Sequence, residues 1–353
     1  MLRVMHMVGS AKPGGAEMFA YRLLVALHNR ADVQVLAVVR RGSWLEGVLR
    51  GAGVPIETAA FGGVFDFITA RRVRKLAQDF KPDVVQSWMN RATRFVPQGP
   101  WATVGRLGGF YDLKYYRGRV QQLVCNTEDL RAYCVENGWD AARVRMIGNF
   151  IPVPAAGWRD VRSDMRAKLG FKHTECVAMM AGRLHKVKGV DVALRALAAL
   201  PESFKLLLVG EGPLWEELQT LAVDLKIEQR VVWAGWQDDI APYAAAADMW
   251  LAPSRHEPLG NTVLDAWVHG VPVIASRTGG LDMLVEEGGS GLKVAVENVD
   301  DLQQSMARMA KDKALQSRVV KGGLARLKKD YSEESIVETY VRFYSEVSKG
   351  QVA

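Results

Sequence analysis

Asp248-Met-Trp-Leu-Ala-Pro-Ser-Arg-His-Glu-Pro-Leu-Gly-Asn-Thr-Val-Leu-Asp265 holds one copy of the pattern that sets the architecture of this chain. Its apolar run Met249–Ala252 reads as a strand, the polar segment after it as a loop, and the residues from about Leu259 to His269 as a helix. A second apolar run, Val271–Ala275, then closes a strand-loop-helix-strand unit. Two acids punctuate the unit. Glu257 lies in the loop before the helix, and Asp265 follows eight positions later inside it. Gly260 between them allows close approach to the backbone. Carboxylates hydrogen-bond to sugar hydroxyls, and the free N–H groups of a helix start hold phosphate, so this segment suits both ends of a sugar nucleotide. Read in isolation, the two acids fit a solvated loop and a helix surface equally well.

The same rhythm extends in both directions. Leu2–Val8, Asp32–Val39, Asp83–Ser87, Trp101–Val104 and Gln121–Asn126 are strand-like and separated by helical patterns. The rhythm lapses at Asn149-Phe-Ile-Pro-Val-Pro-Ala-Ala-Gly157, a linker, and resumes with Glu175–Ala181, Phe204–Val209 and Arg230–Ala234. Alternating strands and helices build parallel sheets covered on both faces. The expected fold is therefore α/β, with two tandem Rossmann-like domains facing a central cleft. The expected boundaries are 1–155, 156–331 and a C-terminal segment 332–353. In that segment Ile336, Val337, Tyr340, Phe343, Tyr344 and Val347 fall on one helix face. A length of 353 residues agrees with two domains.

Composition narrows the function classes. Apolar residues make up 49% and charged residues 24%, as in ordinary globular proteins. No apolar run approaches the ~18 residues of a membrane span. The three cysteines form no C-x-x-C pair, which argues against a zinc site or a disulfide framework and fits a reducing cytoplasm. The net charge of +7 is uneven: residues 1–150 hold 21 Lys/Arg against 12 Asp/Glu, and the remainder 25 against 27. The first half should face something anionic, unless the excess is only a solvated surface.

Four further stretches bear on chemistry. In Met180-Ala-Gly-Arg-Leu-His-Lys-Val-Lys-Gly189, a strand delivers Arg183 and a helix start follows Lys188, so two cations could neutralise a diphosphate leaving group. Ser10-Ala-Lys-Pro-Gly-Gly-Ala-Glu17 begins like a phosphate loop, but no Lys-Ser/Thr follows Gly15, which excludes a nucleotide-hydrolysing P-loop; Gly14 and Gly15 still permit a ligand at the helix start. Gly210-Glu-Gly212-Pro213 approximates G-x-G-x-x-G, with Trp215 where the third glycine would fall. Arg106 and Lys114, interleaved with Tyr111, and Arg71, Arg72, Arg74 and Lys75 carry much of the positive charge of the first half, and the group suits an acceptor with anionic groups or an anionic membrane surface. No nucleic-acid motif is present. No Asp-x-Asp occurs, so the usual paired-acid metal site for a nucleotide sugar is missing.

Taken together, Gly-Gly-Ala-Glu17, Gly-Arg183-x4-Lys188-Gly, Leu-Val-Gly-Glu-Gly-Pro213, Gly235-Trp, Ala-Pro-Ser254-x2-Glu257-Pro-Leu-Gly and Gly270-Val-Pro-Val-Ile-Ala-Ser-x2-Gly-Gly280 resemble the retaining family 4 glycosyltransferases of GT-B fold. The family includes bacterial lipopolysaccharide-core and phosphatidylinositol mannosyl transferases. The resemblance implies a hexosyltransferase that needs neither metal nor cofactor and uses a nucleoside diphosphate sugar, UDP favoured, with a glycan or glycolipid acceptor. It implies that Arg183 and Lys188 grip the diphosphate and Glu257 contacts the sugar. Leu259, Gly260, Asn261 and Thr262 would offer backbone groups, Asp265 would hold the ribose, and Gly14, Gly15 and Gly212 would approach the donor. It further implies a monomer or weak dimer in the cytoplasm, peripheral to the inner face of the plasma membrane. Two positions depart from the family. Asp265 stands where Glu is usual, and Ala102-Thr-Val-Gly-Arg106 lacks the usual sugar-contacting His, for which Arg106 is the candidate substitute. A nucleotide-sugar-binding protein without turnover and a UDP-sugar epimerase are the rival readings.

Overall fold

Each apolar run read as a strand is a strand in the structure, a computed structural model that describes residues 1–63 and 66–350. The last three residues of the expected C-terminal segment lie outside the described residues. In chain order the first sheet comprises β1 (Leu2–Val8), β2 (Val33–Arg40), β3 (Ile56–Ala59), β4 (Val84–Trp88), β5 (Ala102–Leu107), β6 (Gln122–Cys125) and β7 (Val144–Met146). The second comprises β8 (Cys176–Ala181), β9 (Phe204–Val209), β10 (Val231–Gly235), β11 (Met249–Ala252), β12 (Val273–Ser276) and β13 (Leu292–Val294). The strand order is β3-β2-β1-β4-β5-β6-β7 in the first sheet and β10-β9-β8-β11-β12-β13 in the second. The pairings are parallel throughout. Each order reverses once, between β1 and β4 and between β8 and β11. At such a switch point the connections diverge and leave a crevice outside the carboxyl ends of the strands.

Both faces of each sheet are buried, which is why the strands read as nearly continuous apolar runs. Along β1, Val4 and Val8 enter one core with Phe19, Leu23 and Trp88, while Met5 and Met7 enter another with Phe61, Val85 and Leu107. In the second sheet, Ala178 and Met180 face one core, and Val177 and Met179 the other. The strands with no counterpart in the sequence reading, β3, β7 and β13, are three of the four sheet edges. They have three or four residues and one neighbour each, too little for an alternating pattern to register.

The chain divides into residues 1–150 with the final helix Glu333–Ser348, and residues 151–332. The first boundary falls a few residues before the expected position 155. Phe150 is buried against Phe19, with ring centroids 5.4 Å apart, whereas Ile151 joins the core of the second unit. The final helix buries all six residues of its expected apolar face, and Val341 as well. It is held on the first sheet by polar contacts too. Tyr344 Oη donates to Gln86 Oε1 at 2.8 Å and lies 3.4 Å from His6 Nε2, while Trp88 Nε1 donates to His6 Nδ1 at 3.1 Å. His6 is fully buried, and burial lowers its pKa to about 3.

Candidate active site

Most of the residues singled out in the second unit lie in the loops and helix starts beyond β8 and β11, at its switch point. Beyond β8 the chain passes through Gly182 to the exposed Arg183 and a short 3-10 turn, Lys186–Lys188, before the helix Val190–Ala198. Beyond β11 it runs through Ser254 and Glu257 to the helix Asn261–Val268. The crevice between these strand ends is lined by Gly182, Arg183, Lys188, Ser254 and Thr262, among others, and encloses only about 20 Å³. A larger ligand would lie against it rather than inside it.

Lys188 Nζ forms an ion pair with Glu257 Oε2, so residues 69 positions apart meet at the crevice. Arg183 makes no ion pair or side-chain hydrogen bond among the described residues and is available to an incoming anion. Gly260 caps the helix Asn261–Val268 in the left-handed region at φ +81, where a side chain would be strained. A Cβ there would also lie 2.9 Å from Leu284 Cδ1. With no side-chain cap, the first N–H groups of this helix can meet a ligand. Leu259 is buried, leaving its backbone as the part able to meet a ligand. Thr262 Oγ1 accepts from Trp250 Nε1 at 2.9 Å, which anchors the helix start to β11. Asn261 and Asp265 are half-buried on the same helix.

Gly212 has a different task. A Cβ at this position would lie 2.2 Å from the carbonyl oxygen of Leu184, so its bare backbone supports the loop carrying Arg183. Gly14 and Gly15 sit in the first unit at the exposed start of the helix Gly15–His28, which has no side-chain cap.

Two residues in this region were given no role by the sequence reading. Arg255 donates to both carboxylate oxygens of Asp191 at 2.8 and 2.7 Å, to Glu297 at 2.6 Å and to the carbonyl of Lys186 at 2.7 Å. It thereby fastens the Lys188 turn to the Glu257 loop. Arg255, through its hydrogen bonds, holds the Asp191 carboxyl below the usual range. Trp236, beyond β10, is 62% exposed, with its indole N–H on Asp238 Oδ1 at 3.2 Å and its backbone N–H toward Glu211 at 3.4 Å. The Gly235-Trp pair was the only local signal for it. For Arg255 there was none, because its partners are distant in sequence.

The basic residues of the first unit separate into two groups. Arg71, Arg72, Arg74 and Lys75 are exposed on the helix Phe67–Phe80, whose inner face is Thr69, Val73 and Ala77. Lys114 is exposed and pairs with Asp112 at 2.6 Å, and Tyr111 is half-buried. Arg106 requires a correction. It is 1% exposed, donates to Tyr340 Oη at 2.8 Å and Asn149 Oδ1 at 2.6 Å, and lies 4.6 Å from the ring centres of Phe19 and Trp88. A guanidinium enclosed in this way contacts neither a membrane nor a donor sugar. It serves the core beneath the final helix.

Two open parallel sheets, the second with two cations and an acid at its switch point, make up the fold and the candidate site. Comparison with known proteins makes this specific. A family model described as Glycosyltransferase Family 4 matches residues 13–153, and one described as Glycosyl transferases group 1 matches residues 175–312. The lipopolysaccharide core biosynthesis glycosyltransferase LpsE of Rhizobium meliloti (strain 1021) is 32% identical over 333 residues, covering 94% of this chain and 96% of the relative. LpsD of the same organism, which carries the same description, is 32% identical over 354 residues, covering 97% and 98%. The crystal structure of Anabaena Alr3699/HepE in complex with UDP and glucose matches with a TM-score of 0.84 at 20% identity, covering 98% of this chain and 100% of that one. The chain belongs to the family 4 glycosyltransferases and has their GT-B fold.

Proposed function

We propose that this glycosyltransferase moves a hexose from a nucleoside diphosphate sugar, UDP favoured, to a lipopolysaccharide-core or similar glycolipid acceptor, with retention at the anomeric carbon and without a metal. The observation that carries this reading is the convergence of Arg183, Lys188 and Glu257 at the switch point of the second sheet. The names of the two Rhizobium relatives support the acceptor class, and the UDP and glucose held by HepE support the donor.

In the proposed reaction the acceptor hydroxyl oxygen bonds to the anomeric carbon while the bond from that carbon to the diphosphate breaks. The hydroxyl proton passes to the departing phosphate oxygen, so no enzyme nucleophile is needed. Arg183 and Lys188 stabilise the charge gathering on the diphosphate. A charge so placed contributes ~3 kcal/mol, about a hundredfold in rate. Glu257 orients the sugar through its hydroxyls, and Asp265 holds the ribose.

The exposed helix Phe67–Phe80 supports attachment to an anionic membrane face. Its outer side presents Phe67 at 74% and Ile68 at 81% exposure beside Arg71 and Lys75. Apolar residues of this kind enter the lipid boundary while cations meet headgroups. Among the described residues no helix is long and apolar enough to cross a membrane.

The test incubates the chain with UDP-, GDP- and ADP-sugars and a lipopolysaccharide-core acceptor, and follows nucleotide release and the product anomer by NMR. Release of UDP with a retained anomer is expected. Tight donor binding without transfer would reduce the protein to a nucleotide-sugar binder, and an inverted product would overturn the mechanism. Sedimentation with vesicles of differing anionic content tests the membrane face; indifference to lipid charge would overturn it.

A further inference from the structure

Neither of the paired groups at the crevice of the second unit sits on a long regular element. Lys188 ends a 3-10 turn of three residues, and Glu257 lies in the loop between β11 and the helix Asn261–Val268. A side chain on such a segment is placed only as well as the segment is tied down by its neighbours.

Arg255 supplies ties from both its backbone and its side chain. Its N–H donates to the Val187 carbonyl at 2.8 Å, and its own carbonyl accepts from Thr278 Oγ1 at 3.2 Å. Its guanidinium forks onto both carboxylate oxygens of Asp191, in the first turn of the helix Val190–Ala198, while Nη1 also reaches the Lys186 carbonyl and Nε reaches Glu297. Turn and loop are in backbone contact as well: a Cβ on Gly189 would lie 2.0 Å from the Pro253 carbonyl oxygen. Arg255 therefore holds residues on both sides of Lys188 and stands two positions before Glu257. It does not line the crevice around Arg183, Lys188, Ser254 and Thr262. With Lys186, Asp191 and Arg195, among others, it lines a separate cavity of about 670 Å³, so its route to a ligand in the crevice runs through the groups it holds.

We propose that Arg255 is a positioning residue of the transfer reaction: its fork on Asp191 fixes where the Lys188 ammonium and the Glu257 carboxylate stand as the diphosphate departs. This rests on the donor reading above. Lysine would bring the same charge without the planar fork that meets two carboxylates and a carbonyl together. Displacing a catalytic group by about 1 Å can cost about a hundredfold in rate, whereas ground-state binding tolerates it better.

The test compares wild type, Arg255→Lys, Asp191→Asn and Arg195→Gln, with Arg255→Lys also placed in Lys188→Ala. Initial rates of nucleotide release are measured with whichever UDP-, GDP- or ADP-sugar the wild type uses and a lipopolysaccharide-core acceptor. Each variant is assayed below its own Tm, per binding site titrated by calorimetry with the matching nucleoside diphosphate. Arg255→Lys should lower kcat about tenfold and change the donor KM by no more than about threefold. Asp191→Asn should do the same. Arg195→Gln removes a cation from the same cavity without altering the fork and should match wild type. In Lys188→Ala, the further loss from Arg255→Lys should shrink to about threefold or less. Hydrogen exchange in Arg255→Lys should rise together at residues 186–191 and 254–257. Wild-type kcat in Arg255→Lys or Asp191→Asn, equal losses in the two backgrounds, or exchange raised in only one segment would each overturn the role. So would an equal loss in Arg195→Gln, which would make net charge the cause. Wild type that releases no nucleotide from any of these sugars would overturn the donor reading and this role with it. Exchange separates the two failures, since it reports on the ties without turnover.

Discussion

Lys188 and Glu257 form an ion pair across the strand ends of β8 and β11, joining a cation and an acid that the sequence places 69 residues apart. On the proposed donor reading, a diphosphate arriving at Lys188 would compete with Glu257 for the ammonium group and free the carboxylate for sugar hydroxyls. On the same reading, Arg183, which makes no ion pair or side-chain hydrogen bond among the described residues, would bind the diphosphate without such an exchange. Arg183→Ala and Lys188→Ala should each lower kcat about a hundredfold while Tm changes by no more than a few degrees. Initial rates and thermal unfolding of the same preparations check this; near-full activity in both variants would remove these residues from the mechanism.

Asp265 should act on the ribose and not on the phosphates. Asp265→Asn is expected to weaken UDP about tenfold, as loss of a charged hydrogen bond implies. The same substitution should scarcely alter binding of a dideoxyribose analogue of UDP. Calorimetry with both ligands decides it, and an equal loss for the two would point to a general disturbance of the helix Asn261–Val268.

Folding stability should fall in mild acid because of His6. Its folded pKa is about 3, against an ordinary value of 6.5, and burial is the main cause, followed by the Arg106 charge. Between these values the unfolded chain takes up a proton that the folded chain does not. Stability from this group is thus intact above pH 6.5 and declines as pH falls toward 3, by up to about 1.4 kcal/mol per pH unit. Urea unfolding between pH 7.5 and 5 should show this slope in wild type and a shallower one in His6→Gln. Equal slopes would place the titration elsewhere.

Arg106 and the helix Phe67–Phe80 should respond oppositely to substitution. Arg106→Gln leaves Tyr340 and Asn149 without their buried donor and is expected to destabilise the fold by about 3 kcal/mol. Its vesicle binding, measured below its own Tm, should match wild type. The pair Arg71→Gln and Lys75→Gln should leave Tm within a degree or two and weaken sedimentation with anionic vesicles. A loss of vesicle binding in Arg106→Gln, with Tm unchanged, would contradict the buried placement.

Arg106 also illustrates where sequence reading fails. In β5 it sits in a strand covered on both faces, and the partners that make its burial tolerable are 43 and 234 positions away. From local pattern alone such an arginine reads as surface. Arg255 was overlooked for the same reason, since Asp191 lies 64 residues away.

The sequence by itself determined the alternation of strands and helices, the two open sheets, the apolar face of the final helix and the loops bearing Arg183, Lys188 and Glu257. These follow from periodicities and turn residues that act over a few positions. Only the tertiary structure decided which charges meet and which are buried. Those outcomes depend on strand order, which brings distant segments together and which no local pattern encodes.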